Sequence, residues 1–258
     1  MIAKMFDSLL WFLLVKLLTE RKAEMKIELA TDKIAKYASR ESGDSFEVVE
    51  RPRGGITGIL ADAQGSGFSA KLTSNMVAAK AANLIADGTR DGAVARATHD
   101  FLYAQRRGRV SSTLTLFSCD LATETLVISR NSNCPTLIYS QGNVDIMEEP
   151  VKPIGFHYFV KPSIHEIQLA PNMVLLSFSD GIYHAGKNFG QQFPLNELIQ
   201  LLREYGLENI GRLSEQVLNH AVKRDKDRPQ DDMSVMAMGV FSGVEAHKPR
   251  KVRVTYTY

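Results

Sequence analysis

The sequence predicts an α+β fold with largely antiparallel sheets, and three observations carry that prediction. Short alternating segments come in groups: strands, helices, strands, helices, then a strand. This is not the regular alternation of a parallel doubly wound sheet. The segments in the middle of the chain are separated by Asp-, Thr-, Asn- and Gly-rich turns, as in a meander. The 258 residues are 44% apolar and 23% charged, so a packed core is expected and wholesale disorder is excluded. With no low-complexity linker or internal repeat, one domain is the simpler organisation.

The elements follow in order. Residues 26–30 alternate and read as a strand, as do residues 45–50. Arg51-Pro52-Arg53-Gly54-Gly55 is a turn signal. Residues 56–61 form a more buried strand leading into Asp62. Residues 70–86 are alanine-rich, with Leu72, Met76 and Leu84 at helical spacing. A second helix covers residues 91–105, with Val94, Ala97, Phe101 and Leu102 on one side and Asp91 as its cap. Residues 112–119, 125–130 and 136–140 are the strands of the meander. Residues 164–169 and 173–179 are two more, joined at Ala170-Pro171-Asn172. Residues 194–205 and 210–223 are helical, and residues 233–240 form a last buried strand.

The two ends differ from the middle. Residues 9–18 are strongly apolar, yet shorter than the ~20 residues a bilayer span needs, and Lys16 interrupts them. Thr19-Glu20-Arg21-Lys22 follows where a signal peptide would carry small residues. A helix packed on the domain or on a second copy, or an extension before a start at Met25, is favoured over a peripheral membrane anchor. The tail from Ser242 is basic and reads as disordered or as a late edge strand. The organisation expected is an N-terminal extension over 1–24, a domain over 25–241 and a basic tail over 242–258. The net charge of +2 gives no reason to infer a nucleic-acid partner. Cys119 and Cys134 show no zinc spacing, so a reducing cytoplasm is the default location.

Three short acidic stretches carry the chemistry. An apolar run ends at Asp62 and the turn Gly65-Ser66-Gly67, another ends at Asp180-Gly181, and Asp231-Asp232 precedes the last strand. Each places a carboxylate at the tip of a strand. Taken singly they read as a cap, a turn and a solvated pair. Taken together they repel one another unless a hard cation such as Mg²⁺ or Mn²⁺ sits between them. The glycines of Gly65-Ser66-Gly67 allow a sharp turn into a helix whose first amides could attract phosphate, although a plain strand-to-helix turn accounts for them equally. Rival schemes fail on spacing. No arginine lies six residues after either cysteine, and neither a Walker loop nor a Gly-x-Ser-x-Gly elbow is present. The six histidines show no paired metal spacing. His184 follows Asp180 closely but reads as a loop histidine before it reads as a proton donor. The basic run Arg106-Arg107-Gly108-Arg109 and the mixed run over residues 223–228 read as solvated faces, the second close enough to Asp231 to attract a phosphorylated substrate.

The order of these stretches resembles the metal-dependent (type 2C, PPM) protein serine/threonine phosphatases, in the bacterial branch typified by sporulation stage II protein E. Glu41-Ser42-Gly43-Asp44-Ser45-Phe46 is similar to that branch's first metal motif. The segment from Arg130 to Ile138 resembles its central Gly-(His/Asn)-x-Pro-x-Leu segment, and Pro153-Ile154-Gly155-Phe156 its Pro-Leu-Gly turn. The resemblance implies a four-layer αββα sandwich of two sheets flanked by helix pairs. It implies two Mn²⁺ or Mg²⁺ ions, with Asp62 bridging them and the Ala63 carbonyl helping to hold the first. Asp180 and Asp231 would hold the second ion, Asp44 would add a carboxylate, and Asp232, Gly65, Gly67 and Gly181 would support. The family often has glycine where Ala63 stands. The implied activity is hydrolysis of phosphoserine or phosphothreonine on a bacterial signalling protein, such as an anti-sigma-factor antagonist, under control of a regulatory partner. A phosphatase-like binding module with little turnover is the alternative.

Overall fold

The computed structural model describes residues 25–243, 250–252 and 254–255. The apolar segment 9–18, with the rest of 1–24, lies outside the described residues. The described tail residues 250–252 and 254–255 form no helix or strand, and Arg250 pairs with Glu50 at 2.6 Å.

Among the described residues ten strands form two five-stranded sheets. The first sheet has the order β1 (Met25–Ile34), β10 (Met233–Ser242), β9 (Met173–Phe178), β6 (Thr136–Ser140), β7 (Asn143–Met147). The second runs β2 (Asp44–Glu50), β3 (Gly55–Ala63), β4 (Ser112–Asp120), β5 (Thr125–Asn131), β8 (Ser163–Gln168). Every strand pairing is antiparallel, as the grouped pattern of the sequence implies. Between the strands lie α1 (Gly67–Ala86), α2 (Asp91–Arg106), the short α3 (Asp180–Tyr183), α4 (Leu195–Tyr205) and α5 (Ile210–Arg224).

Alternation along single strands builds the four layers. In β3, Leu60 joins Phe117, Ile128, Leu175, Met236 and Met238 in the core between the two sheets. Its neighbours Ile59 and Ala61 point the other way, into a core shared with Val77, Ala81 and Ile85 of α1 and Val94 and Leu102 of α2. On the opposite side Val174, Leu176 and Val235 pack against Leu198 and Leu202 of α4 and Leu213 and Val217 of α5. A period of two thus fills two cores from one strand. Each fully buried aliphatic side chain contributes about 1.5–3 kcal/mol to holding the layers together. Gly58 leaves room for the facing sheet: a Cβ there would lie 2.3 Å from Leu29 Cδ1.

Several local expectations change. The buried face of α1 is Ala70, Thr73, Ser74, Val77, Ala78, Ala81 and Ile85, while Leu72 is exposed. Small side chains let this helix sit close on the sheet, so the large apolar residues do not mark its core face. In α2, Val94 and Leu102 are buried as expected, but Ala97 and Phe101 flank that face, and Phe101 lies under Lys80 Nζ at 5.7 Å. Asp91 does not cap α2. Its carboxylate is buried, pairs with Arg51 at 3.3 Å and accepts from Ser118. Strand β7 is not expected from the sequence, being short and burying only Met147. Strand β1 runs on to Ile34, because its pairing with β10 continues to Met233.

Candidate active site

The ends of β2 and β3 bring two carboxylates face to face. The antiparallel register pairs Asp44 directly with Asp62. Like charges in that position oppose sheet formation. Asp44 is only 1% exposed, and its Oδ2 is buried without a hydrogen-bond partner. Burial, followed by the charge of Asp232, pushes its carboxyl up to about 7. The hydroxyls of Ser234 and Ser179 favour its charged form, yet neither bonds Oδ2 squarely. Burial, and then the charges of Asp44 and Asp180, push Asp62 up to about 10, with Asp231 adding to them. Asp231 is also raised, first by burial and then by Asp180 and Asp232, against the pull of its bond from the Asp232 amide and of Lys36.

The other sheet supplies the remaining acids. Asp180 opens α3 at the end of β9, and Asp231 and Asp232 precede β10. Ser179 and Ser234 lock these ends together: Ser179 N donates to the Ser234 carbonyl at 2.9 Å, and Ser234 N donates to Ser179 Oγ at 2.9 Å. Gly181 sits against the Asp232 carbonyl, where a Cβ would lie at 2.1 Å, so no larger residue permits this approach. Asp232 is buried and turned inward. Its Oδ1 accepts from Lys36 N at 2.9 Å and its Oδ2 from Gly43 N at 2.7 Å, which ties the loop before Asp44 to the start of β10. Asp231 is exposed, with Oδ1 accepting from Asp232 N at 2.9 Å. A cleft of about 180 Å³ opens beside Asp180 and Asp231 and is also lined by Gly181, His184 and Asp225.

The structure therefore gathers Asp44, Asp62, Asp180 and Asp231 at one end of the sandwich, with Asp232 behind them. Ala63 is buried at the last position of β3, opposite Ser112, whose hydroxyl donates to the Asp62 carbonyl at 2.9 Å. Gly65 and Gly67 have φ of 100° and 69°, which only glycine adopts without strain, so the turn into α1 requires them. Two lysines escaped the sequence reading. Lys33 Nζ and Lys71 Nζ both donate to the Asp44 carbonyl, at 3.0 and 2.9 Å, and Lys71 also reaches Ser45 Oγ at 3.0 Å. Burial, then the neighbouring Lys71, brings Lys33 down to about 8. Nothing in the local pattern marks either lysine, because 27 residues separate Lys71 from Asp44.

Among the described residues no group of three His, Cys, Asp or Glu side chains is arranged to hold a metal ion as it stands. The donor set nonetheless fits a hard cation. It is all oxygen, its members raise one another's pKa, and the one unpartnered buried oxygen on Asp44 belongs to it. Both cysteines are free and buried, and burial first of all raises Cys119 to about 11 and Cys134 to about 12. Neither supplies a thiolate near neutral pH, which removes a cysteine-nucleophile mechanism.

Two helix pairs enclosing two antiparallel sheets, with acids converging at one end, define the PP2C class of phosphatase domain. The chain belongs to the stage II sporulation protein E (SpoIIE) family, whose sequence model matches residues 52–241. Its fold is similar to the PP2C phosphatase domain of SpoIIE from Bacillus subtilis solved with a fragment of the regulatory domain. There the TM-score is 0.72 at 18% identity, over 84% of this chain and 64% of that one. It is similar to the RsbU and RsbW domains of Rv1364c from Mycobacterium tuberculosis, with a TM-score of 0.69 at 18% identity over 85% of this chain and 62% of that one. The catalytic domain of the serine/threonine phosphatase PstP, solved with two manganese ions, gives 0.66 at 14% identity over 84% and 99%. This chain thus spans less than two thirds of the length of the first two. No curated protein matches it.

Proposed function

We propose that residues 25–241 form a catalytic unit that hydrolyses phosphoserine or phosphothreonine on a bacterial signalling protein, with two Mn²⁺ or Mg²⁺ ions. The observation that carries this reading is the facing pair of buried Asp44 and half-buried Asp62 on one sheet, met by Asp180 and Asp231 from the other. Asp62 feels the charges of Asp44, Asp180 and Asp231 and would be the residue shared between the ions. The Ala63 carbonyl would complete the first position, and Asp180 and Asp231 the second. Bound there, the ions would supply a nucleophilic water and neutralise the phosphoryl oxygens. Asp232 keeps its oxygens on backbone amides and so positions rather than binds. Gly181 lets Asp180 approach Asp232.

The substrate expected from the branch resemblance is an anti-sigma-factor antagonist, with a regulatory partner setting activity. The RsbU and RsbW domains joined in Rv1364c support a place among such regulators. Among the described residues no helix is long and apolar enough to cross a membrane, and the cytoplasmic location that the cysteine usage leads us to expect is part of this proposal. The test is phosphate release from a phosphoserine peptide, with and without Mn²⁺ or Mg²⁺, for the wild type and Asp62→Asn. Ion-dependent release that the variant loses is the expected result. Ion binding without release from the wild type would favour a binding module, a reading that the open arrangement of the acids also allows.

A further inference from the structure

The basic run Arg106 to Arg109 and the segment after Pro153 have no part in the acidic cluster, yet the fold brings them together at its rim. The segment 152–161 is pinned at its base. Asn131 Nδ2 donates to the carbonyls of Lys152 and Lys161, at 3.0 and 3.3 Å. Ile154 and Ser112 exchange backbone bonds at 2.9 and 3.0 Å, and His99 Nδ1 accepts from Gly155 N at 3.0 Å. Gly155 has φ of 91° and presses on Leu102. Above this fixed base the chain presents three aromatic side chains to solvent: Phe156 is 52% exposed, Tyr158 73% and Phe159 80%. Large aromatics held on a rigid base and left uncovered mark a contact surface.

The patch is continuous with the arginines. The Phe159 ring meets Tyr158 at 4.6 Å, and Tyr158 meets Tyr103 of α2 edge-on at 6.1 Å. Gly108 lies on the Tyr103 ring, where a Cβ would be 2.8 Å away. Arg107 and Arg109 flank that glycine, both exposed and with no carboxylate partner among the described residues. Exposed Lys152 and Lys161 stand at the two feet of the loop. The rim is therefore aromatic and cationic, beside a cleft that is acidic.

The sheet sets how far its base lies from the end of β3. Ile154 pairs with Ser112, and Ser112 pairs with Ala63 beside Asp62. Two strand spacings are about 10 Å. That separation is the base's, where Ile154 is buried, and an extended chain covers it in roughly three residues. Resting on the phosphatase reading above, we propose that this rim docks the substrate protein through an acidic segment with apolar side chains, at least three residues from the phosphorylated serine. The aromatics take the apolar side chains, and Arg107, Arg109 and the two lysines take the carboxylates, which the cleft itself would repel.

The test compares two fluorescent phosphoserine peptides, one with Glu and Leu at that distance and one with Lys and Gly. Binding is read by anisotropy in EDTA, and turnover of p-nitrophenyl phosphate with Mn²⁺ is read alongside. The acidic, apolar peptide is expected to bind about 10-fold tighter, with the difference shrinking as salt rises. Tyr158→Ala with Phe159→Ser, and separately Arg107→Glu with Arg109→Glu, should abolish the preference and leave p-nitrophenyl phosphate turnover unchanged. Equal binding of the two peptides by the wild type overturns the proposal, as does parallel loss of small-substrate turnover in the variants. Capture by phosphatidylglycerol vesicles that needs the same aromatics, without peptide preference, would assign the face to a lipid surface instead. If the wild type does not turn over p-nitrophenyl phosphate, the phosphatase reading falls, and the anisotropy comparison still decides the docking.

Discussion

Replacing Asp62 by Asn should make the metal-free protein more stable while destroying its response to ions. An ordinary aspartate ionises near pH 4. Burial and the charges around it push Asp62 up to about 10, so at pH 7 the folded chain must hold a proton that the unfolded chain releases. The folded value lies above the unfolded one. This contribution to stability is therefore complete below about pH 4 and is lost as the pH rises towards 10. Three pH units at about 1.4 kcal/mol each cost the fold on the order of 4 kcal/mol at pH 7. Asn removes that cost, less about 1–2 kcal/mol for an amide that must find new partners. A net gain of about 2–3 kcal/mol is roughly 4–12 °C in Tm for a chain of this size. Thermal melts in EDTA at pH 5.5 and 8 read it out. The wild type should melt lower at pH 8 than at pH 5.5, and Asp62→Asn should flatten that slope. With Mn²⁺ the wild type should gain about 2.7 kcal/mol at 100-fold excess over Kd, and the variant should gain little. A wild type that is more stable at pH 8 in EDTA, or a variant that is less stable there, would refute the reasoning.

Three other substitutions examine the frame around the acids. Asp232→Ala leaves the amides of Lys36 and Gly43 without acceptors and should cost about 2–4 kcal/mol in urea unfolding, with Asp232→Asn recovering part of it. Gly181→Ala drives a Cβ into the Asp232 carbonyl, so it should lose about 2 kcal/mol or more and also the Mn²⁺-induced rise in Tm. Asp225 accepts from Gly186 N and Gln230 N, both at 2.7 Å, and so links the segment after Asp180 to the one carrying Asp231. Asp225→Ala should weaken Mn²⁺ binding by about 10-fold in titration calorimetry, and Asp225→Asn by less.

The acids were legible because each sits where an apolar run stops or begins. That pattern depends only on neighbours in the chain, and it found Asp62, Asp180, Asp231 and Asp232 before any pairing was known. The resemblance added Asp44, which a lone Gly-Asp would not have revealed. Grouped strands likewise gave the antiparallel character of the sheets. What stayed hidden depends on contacts between distant segments. The register that sets Asp44 against Asp62 follows from the whole β2–β3 ladder. Lys33 and Lys71 converge on one carbonyl from a strand and a helix. Leu72 looked like core because it is large, whereas the space over the sheet admits alanine, serine and threonine. Asp91 looked like a cap because of its position, but Arg51 and Ser118 claim it from across the fold.

The acids are divided between the layers: Asp44 and Asp62 end strands of one sheet, and Asp180 and Asp231 adjoin strands of the other. Cations held between the two sets would therefore act as a clasp across the open end of the sandwich. The free ion concentration around the protein would then govern how often that end breathes, quite apart from any turnover. Amide hydrogen exchange at Met233, Val235 and Phe178 should slow on adding Mn²⁺, while exchange at the far end of the same strands, near Ser242, stays as it was.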